Sequence, residues 1–278
     1  MQRHLFSNCV ADYTLMLMLM SLRKMKRIMQ RAELNDFSLQ GIQGRELPNL
    51  TVGVVGTGRI GRSVIRNLTG FGCRILAYDL YENEEAKACA TYVNLDTLYA
   101  QSDLITLHMP LTNDNFHMIN ESSISQMKDQ VVLINTARGG LIDTKALIEN
   151  IESGKIGAAG LDVIENEFGM YYFDRKSDIL DKRDLYILRG FPNVIVTPHM
   201  AFYTDQAISD MVKHSLESCL LVDQASQILG MYYNFLCILI IQDKHGGQYQ
   251  HESHHINGLE GSPKEEGCQH RRGYWLYA

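Results

Sequence analysis

The chain has 278 residues, of which 26 are Lys or Arg and 32 are Asp or Glu, for a formal net charge of −6 with histidine neutral. Apolar residues make up 45% and charged residues 21%, which excludes a collagen-like, coiled-coil or wholly disordered chain because enough apolar surface exists to bury a large core. The mild acidity also excludes general nucleic-acid binding, which needs a clustered basic face to release counterions.

At the N-terminus, Leu15 to Met20 form a short apolar run, and Asp12 interrupts its approach. The basic residues Arg23, Lys24, Lys26 and Arg27 follow that run, and no cleavage-site pattern is present, so no signal peptide is expected. Residues 11–32 are strong helix formers without Gly or Pro, which predicts one long helix. Its first half is apolar almost all round and calls for burial against another part of the protein or a second subunit.

From Thr51 to about Val163, β-rich apolar runs alternate with helical stretches. The predicted strands are Thr51–Gly56, Arg74–Asp79, Leu104–Met109, Val131–Ala137 and Ala158–Val163, with helices at Arg59–Thr69, Leu95–Gln101, Ser122–Lys128 and Thr144–Ser153. A further apolar run, Asn193–Thr197, precedes Pro198 and a helix-like segment from about Thr204 to Leu221. Continuous apolar strands separated by helices predict an α/β fold, a doubly wound parallel sheet covered on both faces.

The run from Met231 to Ile241 is too short to span a bilayer, so no membrane segment is expected. Residues 242–278 hold five of the ten His, six Gly and the only Trp but just three aliphatic residues. With no period of 3.6 or 2, residues 222–278 read as an atypical, disordered tail. His251, His254 and His255 lack a matching carboxylate or Cys framework, so no functional metal site is expected. The six scattered cysteines form no Cys-x-x-Cys pair, which suits reduced thiols in a cytoplasmic protein.

The first chemical signal is Gly56-Thr57-Gly58-Arg59-Ile60-Gly61, set between a predicted strand and a predicted helix. A G-x-G-x-x-G match alone is weak; its strand–turn–helix context, with Asp79 closing the next strand 18 residues after Gly61, makes it specific. Gly56 permits the tight turn, Gly58 lets the backbone approach a pyrophosphate, and Gly61 allows close helix–strand packing. Unpaired amides at the helix start then face the phosphates. Asp79 can accept hydrogen bonds from the adenosine ribose and repel a 2′-phosphate, favouring NAD over NADP.

The second signal is a set of polar residues at the predicted strand ends, where open parallel sheets bind ligands. Met109-Pro110 with Asn115 follow one strand and Asn135-Thr136-Ala137-Arg138 the next. Asp162 to Glu167 and then Thr197-Pro198-His199 follow the last two. One Arg, two or three acids and one His therefore converge on the edge where the cofactor is expected.

The segments GTGRIG, INTARGG, GLDVIENE and TPHMAFYT together with Asp79 resemble the D-isomer-specific 2-hydroxyacid dehydrogenases, most closely their D-lactate dehydrogenase branch, over about residues 10–220. The resemblance implies a Rossmann-type NAD-binding domain over residues 33–198 and a smaller substrate domain, with the active site between them. Members of that family begin with a large part of the substrate domain before reaching the Ala11-Asp12-Tyr13-Thr14 segment. Only a remnant of that domain is therefore expected here, with residues 199–221 as its C-terminal helix and residues 1–32 linking domains and forming a homodimer contact.

By the same resemblance, Arg138 binds the substrate carboxylate, His199 is the acid/base and Glu167 pairs with it. Arg59 and Ile60 meet the pyrophosphate, Asp79 the ribose, and Met109, Pro110 and Asn115 lie along the cofactor. Thr136, Ala137 and Asp162 lie near its nicotinamide end, and Phe202 lines the substrate pocket. The implied reaction interconverts a 2-keto acid and a D-2-hydroxy acid such as lactate, 2-hydroxyisocaproate or phenyllactate. The alternatives are a non-catalytic NAD-binding module and a formate or phosphoglycerate enzyme. Formate enzymes carry Gln at the position of Glu167, which disfavours the latter.

Overall fold

In the computed structural model residues 5–221 are described, so the expected tail beyond residue 221, with its His251 cluster, lies outside them. The chain divides into two units, Met1–Glu217 and Ser218–Ala278. The fold that follows is that of the first; in the second, residues 218–221 are helical.

The helix expected over 11–32 is two helices, α1 (Leu5–Leu22) and α2 (Met25–Glu33). Lys24 between them has φ 52°, a left-handed conformation through which an α-helix cannot continue. What turns the chain there is tertiary. The Lys26 ammonium donates to the carbonyls of Arg189, Phe191 and Val194 at 2.8, 2.6 and 2.8 Å.

The remaining elements alternate. They run β1 (Thr51–Val55), α3 (Arg59–Thr69), β2 (Arg74–Tyr78), α4 (Glu84–Lys87), β3 (Thr91–Tyr92), α5 (Leu95–Gln101) and β4 (Leu104–Leu107). Next come α6 (Glu121–Gln126), β5 (Val131–Asn135), α7 (Thr144–Glu152), β6 (Ile156–Leu161), α8 (Arg183–Gly190) and β7 (Val194–Val196); in this unit α9 covers 205–217. Among the described residues the strands form one parallel sheet of order β3-β2-β1-β4-β5-β6-β7. This is the doubly wound α/β architecture that the strand pattern predicts. β3, only two residues long, and the short α4 have no counterpart in the predicted elements.

The sheet is dry on both sides because successive strand residues feed opposite cores. Val52, Val54, Leu104, Val132, Ile134 and Ala158 pack with Leu17 and Met18 of α1 and with Ile65 and Leu68 of α3. Val55, Ile105, Leu107, Leu133 and Leu161 pack on the other face with Leu98, Ile124, Leu147 and Leu188 from α5 to α8. Helix and sheet touch where a strand has no side chain. A Cβ on Gly160 of β6 would lie 3.1 Å from Leu17 Cβ, so α1 seats directly on that strand. Leu17 is fully buried there, and Leu17→Ala is expected to cost about 2–5 kcal/mol in urea unfolding. A loss below about 0.5 kcal/mol would remove α1 from the core.

Candidate active site

Because every strand is parallel, all carboxyl ends open on one edge, and each candidate residue follows one of them. Behind β1, Gly56 turns with φ +95° while its amide donates to the Tyr78 carbonyl at 2.8 Å. A Cβ on Gly56 would strike the His108 carbonyl 2.6 Å away, and one on Gly61 would run into the Gly56 carbonyl, so α3 lies hard against the turn. Gly58, between them, has nothing within 4 Å of where a Cβ would be. The turn therefore closes on the protein side and is open on the other, with α3 starting at Arg59 and Ile60. This is the cradle a pyrophosphate needs.

Asp79, just past β2, is tied to the same turn. Its Oδ2 accepts from the Thr57 amide and hydroxyl at 2.6 and 3.1 Å, and its Oδ1 accepts from the Tyr81 amide at 3.1 Å. The Tyr92 hydroxyl donates to Thr57 Oγ1 at 2.7 Å, so the two-residue strand β3 braces the acid indirectly. After β4, the Asn115 side chain accepts from the Thr112 amide and donates to the Pro110 carbonyl, both at 2.8 Å. Asn115 thus shapes the Met109–Pro110 turn from within.

After β5, the Asn135 side chain accepts from the Ala137 amide at 3.0 Å and donates to the Arg138 carbonyl at 2.9 Å, pinning both ends of the turn. Thr136 shares a 2.8 Å hydroxyl–hydroxyl bond with Thr14 of α1. One Arg138 Nη1 hydrogen bond goes to the Ala137 carbonyl at 2.7 Å, and the half-buried guanidinium has further donors to offer.

The last two loops are locked together. Asp162 has no exposure to water. Its carboxylate accepts from the Thr197 hydroxyl at 2.6 Å and from the Met200 and Ala201 amides at 2.9 and 2.8 Å, and its carbonyl accepts from the His199 amide at 2.8 Å. Sequence considerations place Asp162 near the nicotinamide; in the structure its side chain builds the His199 loop. His199 itself has φ 54°, a left-handed backbone held by these bonds. Its Nδ1 lies 2.7 Å from Glu167 Oε1, with the two side chains only 16% and 21% exposed. Glu167 Oε2 in turn accepts from the Ile164 amide at 3.1 Å.

Phe202 stands edge-on to His199 with ring centroids 6.2 Å apart. Tyr172 stands edge-on to Phe202 at 6.1 Å and donates its hydroxyl to the His199 carbonyl at 2.9 Å. Burial, with the charges of Glu167 and Asp162 adding to it, raises the Tyr171 phenol well above its ordinary range and keeps it neutral. Asn135 and Thr14 lie inside segments that the sequence marks but that give neither of them a role; Tyr172 is visible in the sequence only as part of an aromatic cluster.

A glycine cradle with an acid at the next strand end, facing a paired histidine and an arginine, defines a nicotinamide-dinucleotide-binding α/β domain. Residues 15–201 match the model of the NAD binding domain of the D-isomer specific 2-hydroxyacid dehydrogenases, and the chain belongs to that family. It is 50% identical over 210 residues to an aromatic 2-oxoacid reductase of Clostridium sporogenes, covering 75% of this chain and 63% of the relative. It is 46% identical over 211 residues to a D-specific alpha-keto acid dehydrogenase of Enterococcus faecium, covering 76% of this chain and 64% of the relative. The chain thus spans less than two thirds of the length of these relatives.

The fold matches that of a D-lactate dehydrogenase from Aquifex aeolicus solved with NAD and lactic acid. The TM-score is 0.74 at 38% identity, over 79% of this chain and 67% of the other. Among the described residues no helix is long and apolar enough to cross a membrane.

His108, directly behind the cradle, is buried. Its Nε2 lies 2.9 Å from Thr106 Oγ1, and its Nδ1 has no partner among the described residues. Burial pushes its pKa from 6.5 down to about 3. Between those values the unfolded chain holds the extra proton, so stability falls as pH falls, by up to about 1.4 kcal/mol per pH unit. His108→Gln is expected to flatten that acid limb in urea unfolding between about pH 6.5 and 4. An unchanged slope would mean the imidazole is not held neutral.

Proposed function

We propose that this chain carries the catalytic machinery for NAD-dependent interconversion of a 2-keto acid and a D-2-hydroxy acid. The observation that carries the reading is the 2.7 Å pairing of His199 Nδ1 with Glu167, on a loop whose backbone is fixed by a buried carboxylate.

Gly56, Gly58 and Gly61, with the amides at Arg59 and Ile60, hold the dinucleotide phosphates, and Asp79 takes the adenosine ribose. Met109, Pro110 and Asn115 flank the cofactor, with Thr136, Ala137 and the Asp162 loop at its far end. The nicotinamide, when bound, supplies the hydride. Arg138 grips the substrate carboxylate through paired hydrogen bonds and so sets the ketone in one orientation. His199 donates a proton from Nε2, the ring nitrogen opposite Glu167, to the oxygen on which negative charge develops. The Glu167 carboxylate fixes the orientation of the ring through its bond to Nδ1.

Tyr172 and Phe202 form an aromatic wall beside His199, which suits a 2-keto acid with an apolar side chain. The Clostridium sporogenes relative, named an aromatic 2-oxoacid reductase, supports phenylpyruvate ahead of pyruvate. A homodimer through α1, where Met16 and Leu19 are 39% and 36% exposed, and a cytoplasmic location complete the reading.

The test is NADH oxidation by the purified chain with phenylpyruvate, 4-methyl-2-oxopentanoate and pyruvate, beside NADH titration by fluorescence. His199→Asn is expected to lower kcat by about 10²–10⁴ and to leave NADH affinity within about twofold. The variant residue tolerates the left-handed backbone. Equal turnover in the variant would remove His199 from its role, and NADH binding without reduction of any acid would select the binding-module reading.

A further inference from the structure

A second histidine–carboxylate pair lies outside the site described above. His117 Nε2 is 2.6 Å from Glu165 Oε1, and the two side chains are 29% and 19% exposed. His117 belongs to the loop after β4, and Glu165 to the loop after β6 that also carries Glu167. Between them runs the loop after β5, which carries Arg138.

That middle loop is stitched to both neighbours. On one side the His117 amide donates to the Gly140 carbonyl at 2.9 Å, the Ile119 amide to Leu141 at 3.0 Å, and the Asp143 amide to Ile119 at 2.8 Å. On the other side Gly139 packs so closely on the Ile164 carbonyl that a Cβ would collide with it. Glu165 Oε2 accepts from the Thr144 amide, the first residue of α7, at 2.9 Å. The His117–Glu165 bond therefore closes a triangle whose other two edges both run through the Arg138 loop. His117 adopts φ 52° to do so, stacked on Phe116 at 3.8 Å, with Asp143 Oδ2 3.9 Å from its Nδ1.

We propose that His117 and Glu165 are positioning residues that fix Arg138 relative to Glu167, and with it the place of the substrate carboxylate against the proton donor. The proposal rests on the keto-acid reading of Arg138. A guanidinium recognises a carboxylate through two parallel hydrogen bonds, so small loop displacements weaken the grip before they affect the cofactor cradle, which is built on β1 and β2. The predicted signature is a loss of 2-keto acid affinity without a loss of NADH affinity.

Two substitutions separate the side-chain bond from the strained backbone. His117→Asn tolerates a left-handed residue but is too short to reach Glu165, whereas His117→Gln has the reach to donate to it. The full chain and both variants are compared by amide hydrogen exchange over residues 138–144. Oxamate, a pyruvate isostere that cannot be reduced, is titrated into each in the presence of saturating NADH. His117→Asn is expected to exchange faster across that loop and to bind oxamate at least about tenfold more weakly, with NADH affinity within about twofold. His117→Gln is expected to stay near the parent in all three.

Unchanged exchange in His117→Asn would overturn the clamp. So would faster exchange with parental oxamate affinity, or equal behaviour of the two variants. Absence of oxamate binding to the parent chain would instead overturn the reading of Arg138 as the carboxylate ligand, and the positioning role with it, whatever the exchange rates show.

Discussion

A carboxylate taken wholly out of water must have its oxygens occupied by donors, or it destabilises the fold by several kcal/mol. Asp162 meets that requirement by collecting the Thr197 hydroxyl and the Met200 and Ala201 amides. Those donors all belong to the loop after β7, so satisfying one buried charge at the end of β6 determines the course of the chain through His199. The left-handed backbone at His199 is a consequence: the residue is held there by bonds on either side of it. Glu167 and Tyr172 then bind a ring and a carbonyl whose positions are already set.

The sheet supplies the frame for this. Seven parallel strands among the described residues bring the loops that follow them to one edge, and burial on both faces leaves the strands no freedom to slip. Helix α1 ties this edge to the N-terminal end of the chain. Its Thr14 meets Thr136 after β5, and Cys9 Sγ donates weakly to the Phe202 carbonyl at 3.9 Å. α1 is thus both part of the core, through Leu17, and part of the wall behind the site.

Much of this was legible in the residues. The helices at Arg59–Thr69 and Leu95–Gln101 have the predicted bounds because local chemistry sets their starts: a glycine turn for the first, and for the second Asn94, whose side chain accepts from the Thr97 amide. The strands were legible because a strand buried on both faces is apolar throughout. The break at Lys24 was not, since the residues on either side favour helix. It follows from Lys26 docking onto carbonyls more than 160 residues away in sequence. β3 was too short to carry a period, and α8 lies beyond a polar stretch with no strong pattern.

The sequence by itself determined the class of the fold and marked out the candidate site side chains. The Gly56–Gly61 turn, Asp79, Arg138 and His199 each sit a few residues past an apolar strand, and that spacing is a local property of the chain. Only the tertiary structure decided which groups meet. Beyond the Glu167–His199 pair that the resemblance implies, the bonds of Tyr172 to His199 and His117 to Glu165 join residues 27 and 48 positions apart. No local pattern encodes such pairings, because they exist only once the parallel sheet has brought its strand ends to a common edge.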